Sequence, residues 1–132
     1  MSSPPPRFPP YPIRGVRVLH QKQNCAPQFA LIVVDFEPAE AEGVAFEVAE
    51  GLTVEYEPAD ELPHFFAAAA AGIEEHLSLP AHGVVAAARV VLRQARADTF
   101  GSSRPAFRIA GYLAARAALA RTVRAETCEA QL

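Results

Sequence analysis

Twice along this chain the spacing of apolar side chains changes from every second residue to every third or fourth, and this succession of periods constrains the fold more than any other feature. From Ile13 to His20, Val16 and Val18 alternate with Arg17 and Leu19, which predicts a strand. Gln21 to Gln28 is polar, and Phe29 to Phe36 returns as a nearly continuous apolar run, so the two strands form a hairpin with a long tip. After an acidic turn from Pro38 to Gly43, Val44, Phe46 and Val48 alternate with Ala45, Glu47 and Ala49 as a short third strand, and Gly51 to Pro58 reads as irregular. Helical spacing then begins. Leu62, Phe66, Ala69 or Ala70, Ile73 and Leu77 predict a helix from about Glu61 to Leu77, with Asp60 as its cap and Pro63 in its first turn, where a missing amide is tolerated. Gly72 inside it costs about 1 kcal/mol against alanine, which close packing against a strand would offset.

The second change of period follows a break at Pro80 to Gly83. Val84 to Gln94 is a strand with Val90 and Leu92 on one side and Arg89, Val91 and Arg93 on the other. Ala95 to Gly101 is a polar loop. Ser102 or Ser103 then caps a second helix, whose stripe of Phe107, Ala110, Leu113, Ala114, Ala117 and Ala118 runs to about Arg121. Three strands, a helix, a strand and a helix are accommodated by an α+β two-layer sandwich, a four-stranded sheet with both helices on one face.

A chain of 132 residues fits one domain, assigned here to 13–122. Six of the twelve prolines fall at or before Pro12, where fixed φ and missing donors favour polyproline II, so residues 1–12 read as a flexible tail dispensable for folding. Residues 123–132 read as a polar C-terminal tail.

Composition removes several function classes. A net charge of -3 lacks the positive field of a general DNA-coating protein. No run approaches the roughly 20 apolar residues of a membrane span, no secretory leader opens the chain, and the expected location is the cytoplasm. Cys25 and Cys128 form no CxxC pair, and His64, His76 and His82 lack zinc-site spacing. Glu74 and Glu75 are neighbours on a helix, about 100° apart, and do not converge for acid and base work. Ser102 and Ser103 lie in no G-x-S-x-G elbow. Lys22 follows no glycine-rich turn, so there is no phosphate-binding loop for GTP. Neither a catalytic constellation nor a cofactor is expected.

Five segments in register carry a family resemblance: Gln28-Phe-Ala-Leu-Ile-Val-Val-Asp-Phe-Glu-Pro38, Ala45-Phe-Glu-Val48, Gly72-Ile-Glu-Glu75, Val84-Val85 leading into Arg89-Val-Val-Leu92, and Ser102-Ser103-x-x-Ala106-Phe107-x-x-Ala110. In order and spacing, from about Val16 to Leu119, they resemble the fourth domain of bacterial elongation factor G. The resemblance implies a β3-α-β-α fold with a left-handed βαβ crossover. It also implies that the loops after the first strand and before the last helix form a tip that enters the decoding site of the small ribosomal subunit. The chain departs from the pattern at that tip. Gln23-Asn24-Cys25-Ala26-Pro27 stands where the family has Gly-Gly-Arg-Gly-Gln, Asp98 stands where it has histidine, and Gly101 replaces the usual acidic residue before the serines.

The expected contacts are therefore His20, Gln21, Lys22, Gln23, Asn24 and Cys25 on the first loop and Asp98 and Thr99 on the second, with the solvated tip of a hairpin as the plainer reading. Arg89 with Arg93, and Arg104 with Arg108, offer two small basic patches, or else solvated surface. The expected function is a translation-factor-like module that binds the small ribosomal subunit or a translation partner without GTPase activity. The alternative is a protein-interaction module that kept the fold and lost the RNA-reading tip.

Overall fold

Val16 and Val18 turn inward while Arg17, Leu19 and Gln21 stay exposed between and beyond them, and the segment forms an extended strand, β2 (Ile13–Lys22). The computed structural model describes residues 5–22, 28–55, 61–97 and 102–130, the side chains of 51–55 and 123–130 excepted. Around β2 lie β1 (Arg7–Phe8), β3 (Gln28–Pro38), β4 (Gly43–Glu55), α1 (Leu62–Leu77), a 3-10 turn at Pro80–His82, β5 (Val85–Arg96) and α2 (Arg104–Ala130). The sheet order is β4, β5, β3, β2; β3 is antiparallel to both its neighbours and β4 is parallel to β5. Two parallel neighbours need a crossover, and α1 supplies it.

Both helices cover one face. Val16, Val18, Ile32, Val34, Phe36, Val90 and Leu92 point inward to meet Phe65, Ile73, Phe107, Ala110 and Ala114 in one core. Phe107, fully buried, stacks on Phe65 with ring centroids 4.8 Å apart and planes 3° apart. The sheet-facing stripe of α1 therefore uses Phe65, with Phe66 only partly buried. Ser103 is the cap of α2: its Oγ accepts from the Ala106 amide at 3.2 Å.

Five expectations are corrected. The tail reading fails at Arg7–Phe8, which pair in parallel with Val85 and Ala86; Phe8 is 1% exposed and meets Phe36 edge to face at 6.0 Å. Proline composition favoured a tail, but one aromatic side chain with a core site is enough to anchor its neighbours. Arg7 reinforces the anchor by donating to the carbonyls of Ala39 and Glu40. At the other end α2 continues to Ala130, past the tail boundary placed at 123. β4 reaches Glu55, through the stretch read as irregular, because the backbone of Thr53, Val54 and Glu55 pairs with Gln94, Ala95 and Arg96. β5 likewise extends to Arg96, two residues into the stretch read as loop.

Gly72 packs against a helix, not a strand. A Cβ there would lie 2.0 Å from the Arg108 carbonyl oxygen, and one on Gly111 would lie 2.0 Å from that of Ala69. The two helix backbones touch where both lack a side chain. Asp60, expected as the cap of α1, lies outside the described residues.

Candidate binding surface at the loop-bearing end

The sheet face that the helices leave uncovered carries charged side chains of β3 and β5, and a bulge in β5 decides what is displayed there. Val33 pairs with Gln94 but Val34 pairs with Leu92, so Arg93 is an extra residue. The insertion resets the alternation. Ala95 turns into the core at 2% exposure, and Arg96 turns outward, its guanidinium carbon 5.8 Å from the centre of the Phe29 ring. Without the bulge Arg96 would face the helices.

The middle of this face is electrically closed. Arg93 Nε donates to Asp35 Oδ2 at 2.8 Å, and Asp35, itself 6% exposed, also accepts from the Gly15 amide at 2.8 Å. Gly15 has φ +67°, a conformation glycine adopts without penalty, and it sits in a second register shift between Ile13 and Val16. Arg89 donates to Glu37 at 2.5 Å and to Glu47. Those hydrogen bonds, Glu47 first, raise the guanidinium pKa above its ordinary value. On the helical side Arg108 donates twice to Glu75, at 2.9 and 2.6 Å. Three of the four arginines expected in basic patches, Arg89, Arg93 and Arg108, are thus paired with carboxylates at the surface, while Arg104 is exposed at the start of α2.

Towards the loops the balance changes. A shallow cavity of about 350 Å³ opens between Arg17, Leu19 and Gln21 of β2, Phe29 and Leu31 of β3, and Arg96. Its lining joins apolar side chains to two guanidinium groups, and no carboxylate among the described residues lines it. Lys22 pairs with Gln28 at the end of the hairpin, and His20 Nε2 lies 2.6 Å from Gln28 Oε1. Ser102 Oγ donates to the Phe29 carbonyl at 2.8 Å, which ties the start of α2 to the start of β3. The anchors of both expected tip loops therefore adjoin. Gln23, Asn24, Cys25, Asp98 and Thr99 lie outside the described residues; His20, Gln21 and Lys22 are brought to one end with Arg17 and Arg96.

The sequence reasoning missed the cavity because Phe29 and Leu31 looked like core in a continuous apolar run, and the bulge at Arg93 has no sequence signature. It also missed a histidine pair. His76 in α1 and His82 in the 3-10 turn have ring centres 4.5 Å apart, and Tyr112 meets His76 edge-on at 4.5 Å. His76 Nδ1 and His82 Nε2 are buried without a hydrogen-bond partner among the described residues. Burial, then His82 and then Arg116, hold the His76 pKa below its ordinary value. No group of three or more metal-binding side chains converges among the described residues, and no helix there is long and apolar enough to cross a membrane.

No protein-family model and no curated protein matches the sequence. Among solved structures, a crystal structure of a protein from Thermus thermophilus is similar, with 20% identity and a TM-score of 0.60; the match covers 83% of this chain and 16% of that protein. At that identity the likeness is one of fold.

Proposed function

We propose that the chain is a non-catalytic binding module of the translation-factor type, resembling the fourth domain of elongation factor G. It docks on the small ribosomal subunit or on a translation partner through the loop-bearing end of its sheet, and it neither binds nor hydrolyses GTP. The observation that carries this reading is the meeting of the two loop anchors, Gln28–Phe29 and Ser102, beside the cavity that Arg17 borders. The residues Ser102-Ser103-x-x-Ala106-Phe107 that resemble the family form the capped start of α2 at that end.

Ribosomal RNA contact runs mainly through phosphates and is therefore steeply salt-dependent. Co-sedimentation with purified small subunits across a salt series tests the proposal. Binding that weakens steeply with salt supports it, and no binding at low salt refutes docking on the small subunit. A second reading, a protein-interaction module, is favoured by the ion pairs that silence Arg89, Arg93 and Arg108. It predicts a shallower salt dependence and a protein partner.

A further inference from the structure

We propose that the free edge of β2 receives an acidic, extended peptide segment of a partner protein as an additional strand. This goes beyond the loop-end reading, since it concerns the side of the sheet rather than its tip. β2 pairs with β3 on one side, and among the described residues no strand pairs with the other. Arg121 of α2 donates to the Arg14 carbonyl at 3.0 Å and so covers the beginning of the strand. From Val16 to Lys22 alternate backbone N–H and C=O groups face outward, which is the template that strand addition uses.

Charge chooses the occupant. Arg14, Arg17 and Lys22 are exposed along this strand, and none bonds a carboxylate among the described residues, whereas Arg89, Arg93 and Arg108 all do. The same charges disfavour a second copy of β2 in two of its registers. Antiparallel pairing about Val18 would set Arg14 opposite Lys22, and pairing about Arg17 would set that residue against itself; like charges directly opposite destabilise a ladder. An anionic strand meets no such penalty. The surface beside the edge adds a requirement for one aliphatic group. Leu19 is 46% exposed and lines the cavity that Arg17 and Gln21 border on the uncovered face. Since side chains of an added strand alternate between faces, and Arg17 and Leu19 share the cavity side, the fitting segment carries Asp or Glu and an aliphatic residue at alternate positions on that side.

The test uses the whole chain and a fluorescein-labelled, acetylated peptide, Thr-Glu-Thr-Leu-Thr-Glu-Glu-Glu-Thr, in which Leu shares one face with Glu on either side, followed by anisotropy and by amide hydrogen exchange. Saturable binding with new protection of amides within 16–22 is expected, together with at least about tenfold weaker binding to Arg14→Glu/Arg17→Glu at low salt. Leu19→Ser should also weaken it, and a peptide with lysine for every acid should not bind. If the double variant proves unstable by thermal midpoint, Arg17→Gln, at an exposed side chain, takes its place, and unchanged affinity there overturns the proposal. So does the absence of protection at saturating peptide. Protection of the same amides without peptide, rising with protein concentration, would assign the edge to a second copy. Displacement of the peptide by poly(U) with the same amides protected would assign it to RNA. Either result overturns the proposal, and neither depends on whether ribosomes co-sediment.

Discussion

Phe8 shows how much one residue decides. At 1% exposure it is almost wholly removed from water, and deletion of a buried phenylalanine side chain costs about 3–5 kcal/mol. Phe8→Ala, or deletion through Pro10, is therefore expected to lower the thermal midpoint by on the order of 10 °C, as Phe107→Ala should in the centre of the core. A midpoint within a degree or two of the parent's would show that the N-terminal strand contributes nothing. Phe107 was legible because it lies on a helical stripe, whereas Phe8 belongs to no periodic pattern and its partner Phe36 lies far along the chain. His76 was illegible for a similar reason, since its partner His82 is reached only around the 3-10 turn. Burial, with His82 and Arg116 nearby, lowers the His76 pKa in the folded chain below the ordinary 6.5. The unfolded chain then binds the extra proton first as pH falls, so stability rises with pH in this window. The contribution of His76 is full above about 6.5 and is lost as pH drops from there towards the lower folded value. Urea titrations at pH 7.5 and pH 5.0 should show the parent losing more stability than His76→Leu over that interval. Equal losses would remove His76 as the cause.

Elements were more readable than their joints. The strands and helices follow from period two and period 3.6, and their inward residues are those the pattern named in β2 and β5 up to Leu92. Beyond Leu92 the bulge at Arg93 inverts the pattern, and the extra residue is fixed by Asp35, which holds both Arg93 and the Gly15 amide from the neighbouring strand. Such an arrangement across three strands leaves no local signal. The crossing of α1 and α2 is another joint of this kind. Gly72 was visible as a helix-weakening residue, but its need arises from Arg108 and Tyr112 on the other helix, as that of Gly111 arises from Ala69. Gly111→Ala would gain helix propensity of about 1 kcal/mol in isolation, yet here a Cβ falls 2.0 Å from a carbonyl oxygen, and the helices must separate. A net loss of about 2–3 kcal/mol in chemical denaturation is expected. A variant as stable as the parent would mean that the helices do not meet at these glycines.

At the scale of the whole molecule, a net charge of -3 hides a segregation of charge. The middle of the uncovered sheet face holds its arginines in ion pairs with Asp35, Glu37 and Glu47, while the loop-bearing end displays Arg17 and Lys22, with Arg104 at the start of α2. Fully exposed charges interact only within a Debye length of about 8–10 Å at moderate salt, so a docking partner responds to this end rather than to the chain's average. If the partner is the small ribosomal subunit, Lys22→Glu and Arg104→Glu should each weaken co-sedimentation at low salt. Each should also make the dependence of log affinity on log salt shallower, by about one unit for every phosphate that is no longer neutralised. Arg89→Gln should leave both quantities unchanged, because Glu37 and Glu47 already hold that guanidinium. Equal weakening by all three substitutions would mean that diffuse charge governs the encounter and that no end of the sheet is privileged. Unchanged binding by Lys22→Glu and Arg104→Glu, with a flat salt response, would transfer the function to a protein partner that does not read phosphates.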